Sequence, residues 1–84
     1  MLRKAYKKYK DKFGNQAQII KAIEELAELQ MALAKFMNRQ GDVDNIIEEI
    51  ADVEIMTAQL KMMFDCESQV KEWEVYKIEK MLNK

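Results

Sequence analysis

The chain has 84 residues, 35% of them charged, and a formal net charge of −1, which allows one domain over residues 1–84 with a thin hydrophobic core. Two glycines are too few for the glycine-rich loops that bind phosphates or dinucleotides, and the absence of histidine excludes Ser-His and Cys-His catalysis. The single cysteine permits no internal disulfide, and neither a signal peptide nor a membrane span of ~18 apolar residues is recognisable. We therefore expect a cytoplasmic protein with no membrane partner.

The composition predicts an all-α fold, because proline is absent while Glu, Lys, Leu, Met and Ala are abundant. Apolar residues at helical spacing predict helices over about residues 2–13, 16–38, 45–65 and 68–82. Asn15 is expected to cap the second helix, and the segment Asn45-Ile46-Ile47-Glu48 fits a capping box for the third. Residues 38–42 form the clearest loop between predicted helices.

The first predicted helix is basic. Six basic residues and one acidic residue lie between Arg3 and Lys12, interleaved with Tyr6 and Tyr9, a composition that single-stranded nucleic acid can bind. Both tyrosines share a helical stripe with Leu2 and Phe13, so we expect the aromatic rings to pack inward and the lysines to be solvated. The pattern therefore does not favour nucleic acid as a partner.

Two acidic segments stand on consecutive predicted helices, Glu24-Glu25-Leu26-Ala27-Glu28 and Glu48-Glu49-Ile50-Ala51-Asp52. Residues three apart lie about 60° apart around a helix, so the last acid of each segment shares a face with the acid three positions before it. The short loop makes the two helices antiparallel neighbours. Four carboxylates, those of Glu25, Glu28, Glu49 and Asp52, could therefore converge between them.

A solvated acidic face is the alternative interpretation. Glu28 favours it, because it lies between Lys21 and Lys35 on the helical wheel. Glu49 opposes it, because it falls between Met56 and Leu60 inside the apolar arc of its helix. Two carboxylates ~5 Å apart repel by roughly 3 kcal/mol at an effective dielectric of 20, so a partly buried group needs protons or a cation. Oxygen ligands without His or Cys are typical of Mg²⁺, Mn²⁺ or Ca²⁺ sites.

The segments EELAE at 24–28 and EIAD at 49–52 resemble the EExxE and ExxD signature of the MazG-like nucleotide pyrophosphohydrolases, all-α enzymes of a comparable size. The resemblance covers residues 19–60 and, more loosely, the whole chain. It implies hydrolysis of (deoxy)nucleoside triphosphates to monophosphate and pyrophosphate by a housekeeping or phage-type enzyme, with Mg²⁺ as cofactor and Mn²⁺ as a substitute.

The same resemblance implies roles for individual residues. The metal ligands would be Glu25, Glu28, Glu49 and Asp52, and the candidates for activating water or binding a second ion would be Glu24 and Glu48. Family members also carry a Trp and a Lys four positions apart after the acidic helices, and Trp73 and Lys77 would then bind substrate. Trp73 also suits a core position, and Lys77 also suits a solvated surface.

The second and third predicted helices are apolar over more than half of their circumference, and few other elements remain to cover them. We expect a helical hairpin with flanking helices that assembles by dimerisation into a four-helix bundle, as a homodimer or, as the family resemblance also suggests, a homotetramer. The alternative function is a non-catalytic helical dimerisation module with solvated acidic faces. Base and sugar preference do not follow from the sequence.

Overall fold

The computed structural model describes residues 1–84 and is all-helical, which confirms the predicted fold class. It contains α1 (Leu2–Met37), α2 (Val43–Met63) and α3 (Glu67–Leu82). α1 and α2 pack against each other as a helical hairpin, whereas α3 contacts α2 only sparsely and meets α1 through one exposed ion pair, between Arg3 and Glu67 at 3.8 Å. None of the helices combines the length and apolar character that crossing a membrane requires.

The first two predicted helices form one element, α1, with a kink at Gly14. Gly14 has φ 85° and ψ 170°, a conformation that only glycine adopts without strain. Asn15 was predicted as an N-cap, and that prediction is wrong, because Asn15 lies inside α1 and the backbone breaks one residue earlier. The backbone is not helical at Gly14, so α1 consists of two helical segments that meet at this residue.

The start of α2 also differs from the prediction. Asp42, not Asn45, is the N-cap, and its side-chain oxygen accepts a hydrogen bond from the backbone N–H of Asn45 at 2.8 Å. The predicted N-cap was therefore one helical turn too late in the sequence. Asp and Asn are comparable caps, and the sequence has one at each of the two positions. α2 ends at Met63 and α3 begins at Glu67, within two residues of the predicted limits.

The interior of the hairpin is small and polar rather than bulky and apolar. From the kink onwards, the buried residues of α1 are Gln18, Ala22, Glu25 and Ala32, and those of α2 are Met56 and Gln59. Large apolar side chains point outward instead, among them Ile23 and Leu33, which are 61% and 47% exposed. The hairpin thus brings polar groups together at its centre and leaves much of its apolar surface uncovered.

In the basic N-terminal part of α1, the prediction that the aromatic rings pack inward and the lysines are solvated is confirmed only in part. Tyr6 is buried, Leu2 and Tyr9 are half-buried, and the lysines are exposed. Phe13 does not pack inward, since half of its surface is exposed, and its ring lies 4.6 Å from that of Tyr9. The kink directly after Phe13 separates this ring from the hairpin interior.

Replacement of Asp42 by Ala should lower the free energy of unfolding by ~1 kcal/mol, because the N–H of Asn45 loses its acceptor. Urea denaturation followed by circular dichroism measures the change. Asp42→Asn is the matched control and should retain most of the stability, since the amide oxygen also accepts this hydrogen bond. Equal losses in both variants would show that the carboxylate acts by its charge and not as a cap.

Candidate metal centre

Three carboxylates meet between α1 and α2. One oxygen each of Glu25, Glu49 and Asp52 lies within 4.8 Å of the other two. Glu25 faces α2 because it shares a helical stripe with Gln18, Ala22 and the other buried residues of α1, and Glu49 and Asp52 are three residues apart on α2. The carboxylate cluster, as we call these three residues, therefore consists of acids that the sequence pattern had predicted to converge.

The carboxylate cluster is partly shielded from water, and its negative charge is incompletely compensated. Glu25 is only 6% exposed, and its Oε1 accepts a hydrogen bond from Nζ of Lys21 at 2.9 Å. Oε2 of Glu25 and Oε2 of Glu49 are both buried without a hydrogen-bond partner. Buried carboxylate oxygens without partners are unfavourable, so these two atoms indicate a place where a cation or protons would be stabilised.

The electrostatics of the site agree with this arrangement. Burial raises the pKa of Glu49 above its ordinary value, and the negative charges of Glu28, Asp52, Glu25 and Glu48 raise it further. The pKa of Lys21 is also raised, chiefly by its hydrogen bond to Glu25 and by the charge of that carboxylate. The site therefore favours positive charge and disfavours a further negative charge.

The other predicted acids lie outside the carboxylate cluster. Glu28, expected as a fourth ligand, is exposed, although its charge acts on Glu49. Glu24 and Glu48, the candidates for water activation, are exposed on the same turns of α1 and α2. One ligand atom from each of Glu25, Glu49 and Asp52 converges, and the remaining acids surround them with negative charge.

The predicted substrate-binding residues are on α3, away from this part of the hairpin. Trp73 is 62% exposed, so it is not a core residue of the single chain, and Lys77 is exposed as well. Trp73 packs edge-on against Tyr76, with ring centroids 5.8 Å apart, and lines an open groove with Tyr76 and Glu72. All three residues of this groove belong to α3, so the groove does not include the carboxylate cluster.

Lys21 is the site residue whose contact the sequence reasoning missed. It had been placed beside Glu28 on the wheel, whereas its ammonium pairs with Glu25. The signal was present, because Lys21 and Glu25 are four residues apart and such pairs meet on a helix surface. Burial of Glu25 reduces the screening of this attraction by water, although the Lys21 side chain itself is about half exposed.

The sequence matches no characterised protein family, no curated protein and no solved structure.

Without divalent cations, Glu49→Gln should raise the free energy of unfolding at pH 7. The folded-state pKa of Glu49 is raised, so its contribution to stability is present below the ordinary pKa of 4.5 and is lost as the pH rises through the folded value. The neutral amide removes this loss. Urea denaturation in EDTA at several pH values should show the two curves converging towards acid pH.

Glu54→Gln is the matched control for this measurement, since Glu54 is an exposed acid of α2 outside the carboxylate cluster. It should leave the pH dependence of the parent intact. A Glu49→Gln variant that is no more stable than the parent at pH 7 would contradict the unfavourable environment assigned to Glu49.

Proposed function

We propose that the chain is a cytoplasmic, Mg²⁺-dependent hydrolase that converts (deoxy)nucleoside triphosphates to monophosphate and pyrophosphate. The observation that carries the proposal is the convergence of Glu25, Glu49 and Asp52 with two buried carboxylate oxygens that have no partner. The resemblance of EELAE and EIAD to the MazG-like signature supports it, because the converging acids occupy signature positions.

The donor set fits a hard divalent cation. All three ligand atoms are carboxylate oxygens, and Lys21 compensates only one of the three charges. Glu25, Glu49 and Asp52 would hold the ion, with Glu28 on the adjoining face of α1. When bound, Mg²⁺ neutralises phosphate charge and lowers the pKa of water; Mn²⁺, which prefers similar ligands, would serve as a substitute.

The surrounding residues have the chemistry that the reaction needs. In the absence of histidine, a carboxylate must accept the proton of the attacking water, and Glu24 and Glu48 are exposed acids next to the carboxylate cluster in sequence. Trp73 would stack on the nucleobase, and Lys77 would compensate the charge of the leaving pyrophosphate. Since α3 does not pack on α1 within the chain, a nucleotide would meet these side chains most readily from a neighbouring copy.

A homodimer or homotetramer is therefore part of the proposal. Each subunit would supply its own carboxylate cluster, and assembly would cover apolar side chains that one chain leaves exposed.

Mg²⁺ should raise the thermal stability of the chain. A cation that binds only the folded state stabilises it by RT ln(1 + [Mg²⁺]/Kd), or ~2.7 kcal/mol at a hundredfold excess over Kd. Glu25→Gln and Asp52→Asn should abolish most of this increase, whereas Glu54→Gln should not. Thermal melts with MgCl₂ or EDTA measure the effect, and equal responses in parent and variants would place the ion elsewhere.

Incubation with separate (deoxy)nucleoside triphosphates and Mg²⁺ should release pyrophosphate and monophosphate in equal amounts. Glu49→Gln should lower the rate by at least about a hundredfold, because a ligand of the cation and one of the converging charges are lost. Glu54→Gln should retain the rate. Release of inorganic phosphate instead of pyrophosphate would assign a different reaction to the site.

A non-catalytic helical dimerisation module is the second candidate function. The observation that favours it is the exposure of Glu24, Glu28 and Glu48, as expected for solvated acidic faces. An assembled, folded chain that hydrolyses none of the nucleotides with Mg²⁺ or Mn²⁺ would support this module and contradict the hydrolase.

A further inference from the structure

The hairpin carries a second set of heptad positions beside the one that it buries. The inner stripe, as we call the residues in the α1–α2 interface, comprises Gln18, Ala22, Glu25, Leu29 and Ala32 of α1, and it also comprises Glu49, Asp52, Met56, Gln59 and Met63 of α2. All of these residues are buried or half-buried. Their alternating spacings of three and four residues are those of helices packed side by side.

The residues directly after those of the inner stripe form a second stripe with the same spacing, the outer stripe, and one further residue of each helix, Met37 or Ile46, extends it. The outer stripe of α1 is Ile19, Ile23, Leu26, Gln30, Leu33 and Met37. The outer stripe of α2 is Ile46, Ile50, Val53, Thr57, Leu60 and Phe64. Although 35% of the chain is charged, these positions contain no charged residue.

The two outer stripes lie on one face of the hairpin. A step of one residue rotates a side chain by about 100° around the helix axis. The rotation has the same handedness along both helices, and the helices run antiparallel, so both rotations lead to the same side of the hairpin. This outer face is open: Leu26 and Leu33 are each 47% exposed, Ile50 is 42% exposed and Phe64 is 62% exposed.

The rest of the chain borders the outer face only at one end, where Val70 and Glu74 of α3 line a groove with Thr57, Leu60 and Phe64 of α2. α3 contacts α2 only sparsely and does not pack on α1. The accessible surface is 7101 Å², about 1,900 Å² more than the ~5,200 Å² expected for a folded monomer of 10.0 kDa. The radius of gyration, 15.3 Å, likewise exceeds the ~12 Å expected for a compact chain of this length.

We propose that a second copy of this chain docks on the outer face, so that two hairpins form a four-helix bundle related by a two-fold axis. This specifies the surface of the proposed homo-oligomer and does not depend on the proposed hydrolysis. The excess surface belongs to the whole chain, and the outer face and the loosely packed α3 both contribute to it. It is more than twice the ~800 Å² per partner that a stable interface buries. A formal net charge of −1 opposes self-association only weakly.

Within this interface, Gln30 has a distinct role. It is the polar residue near the middle of the α1 outer stripe, and a single polar residue in an apolar seam fixes the register at the expense of stability. Its amide would find a partner across the bundle, in Gln30 or Thr57 of the second copy. The interface is thus expected to be tighter but less specific when Gln30 becomes apolar.

Sedimentation velocity and light scattering over a micromolar concentration series test the proposal on the full chain. The parent should have the mass of a dimer or a multiple of it, and Leu33→Glu should weaken the dimer by at least about a hundredfold. Met31→Glu is the matched control, because Met31 is 56% exposed on the opposite side of the stripe. It should remain at least dimeric.

Gln30→Leu should tighten the dimer by about tenfold or more, and a variant that fails to fold cannot produce that gain. Circular dichroism on dilution completes the test, since helicity should fall at a higher concentration in Leu33→Glu than in Met31→Glu. A parent that is a folded monomer at about 100 µM, or Leu33→Glu and Met31→Glu variants that associate alike, would overturn the proposal. These measurements use neither nucleotide nor metal, so an inactive dimer would contradict only the hydrolase.

Discussion

The helices of the hairpin have more apolar surface than one chain of this size can cover, and the rest of the structure depends on that constraint. α1 and α2 can turn only one stripe of each helix towards each other. Most residues of the stripe that they bury are alanines, glutamines and carboxylates, with Leu29, Met56 and Met63 as its large apolar residues, whereas the stripe beside it consists mainly of isoleucine, leucine, valine, methionine and phenylalanine. The hairpin therefore buries polar side chains within the chain. Most of its large apolar side chains can be buried only at an interface with another molecule.

This division has an energetic consequence for the single chain. Four apolar residues are buried, while the side chains of Gln18, Glu25, Glu49 and Gln59 each hold a buried polar atom without a partner. Such atoms oppose folding, and little buried apolar surface is available to offset them. The proposed cation and the proposed second copy would each offset part of this cost: a divalent cation would compensate the carboxylates, and a second copy would cover the outer face.

Lys21 links the site to the surface of α1. Its ammonium pairs with one oxygen of Glu25 and leaves the other oxygen without a partner. The lysine therefore lowers the repulsion inside the carboxylate cluster without neutralising it. α3 stands apart from this part of the molecule, so Trp73 and Lys77 differ from the acids: their proposed roles need a neighbouring copy, whereas the acids converge within one hairpin.

The convergence of Glu25, Glu49 and Asp52 could be predicted, because spacings of three residues and a short loop are local properties of the sequence. The position of Glu49 inside an apolar arc likewise predicted its partial burial. The kink at Gly14 and the cap at Asp42 were harder to place. A glycine is compatible with either a helix end or a bend, and Asp42 and Asn45 are both good caps, so the choice depends on how the loop closes onto α1.

The sequence by itself determined the helical class, the hairpin and the pairing of acids across it, since composition, period and loop length act over short distances. Only the tertiary structure decided which of two neighbouring heptad stripes faces inward. The stripes differ by a single residue, and both have the period of a packed helix, so local patterning does not choose between them. The choice depends on how closely α1 and α2 approach, and alanines at Ala22 and Ala32 allow the approach that buries Glu25.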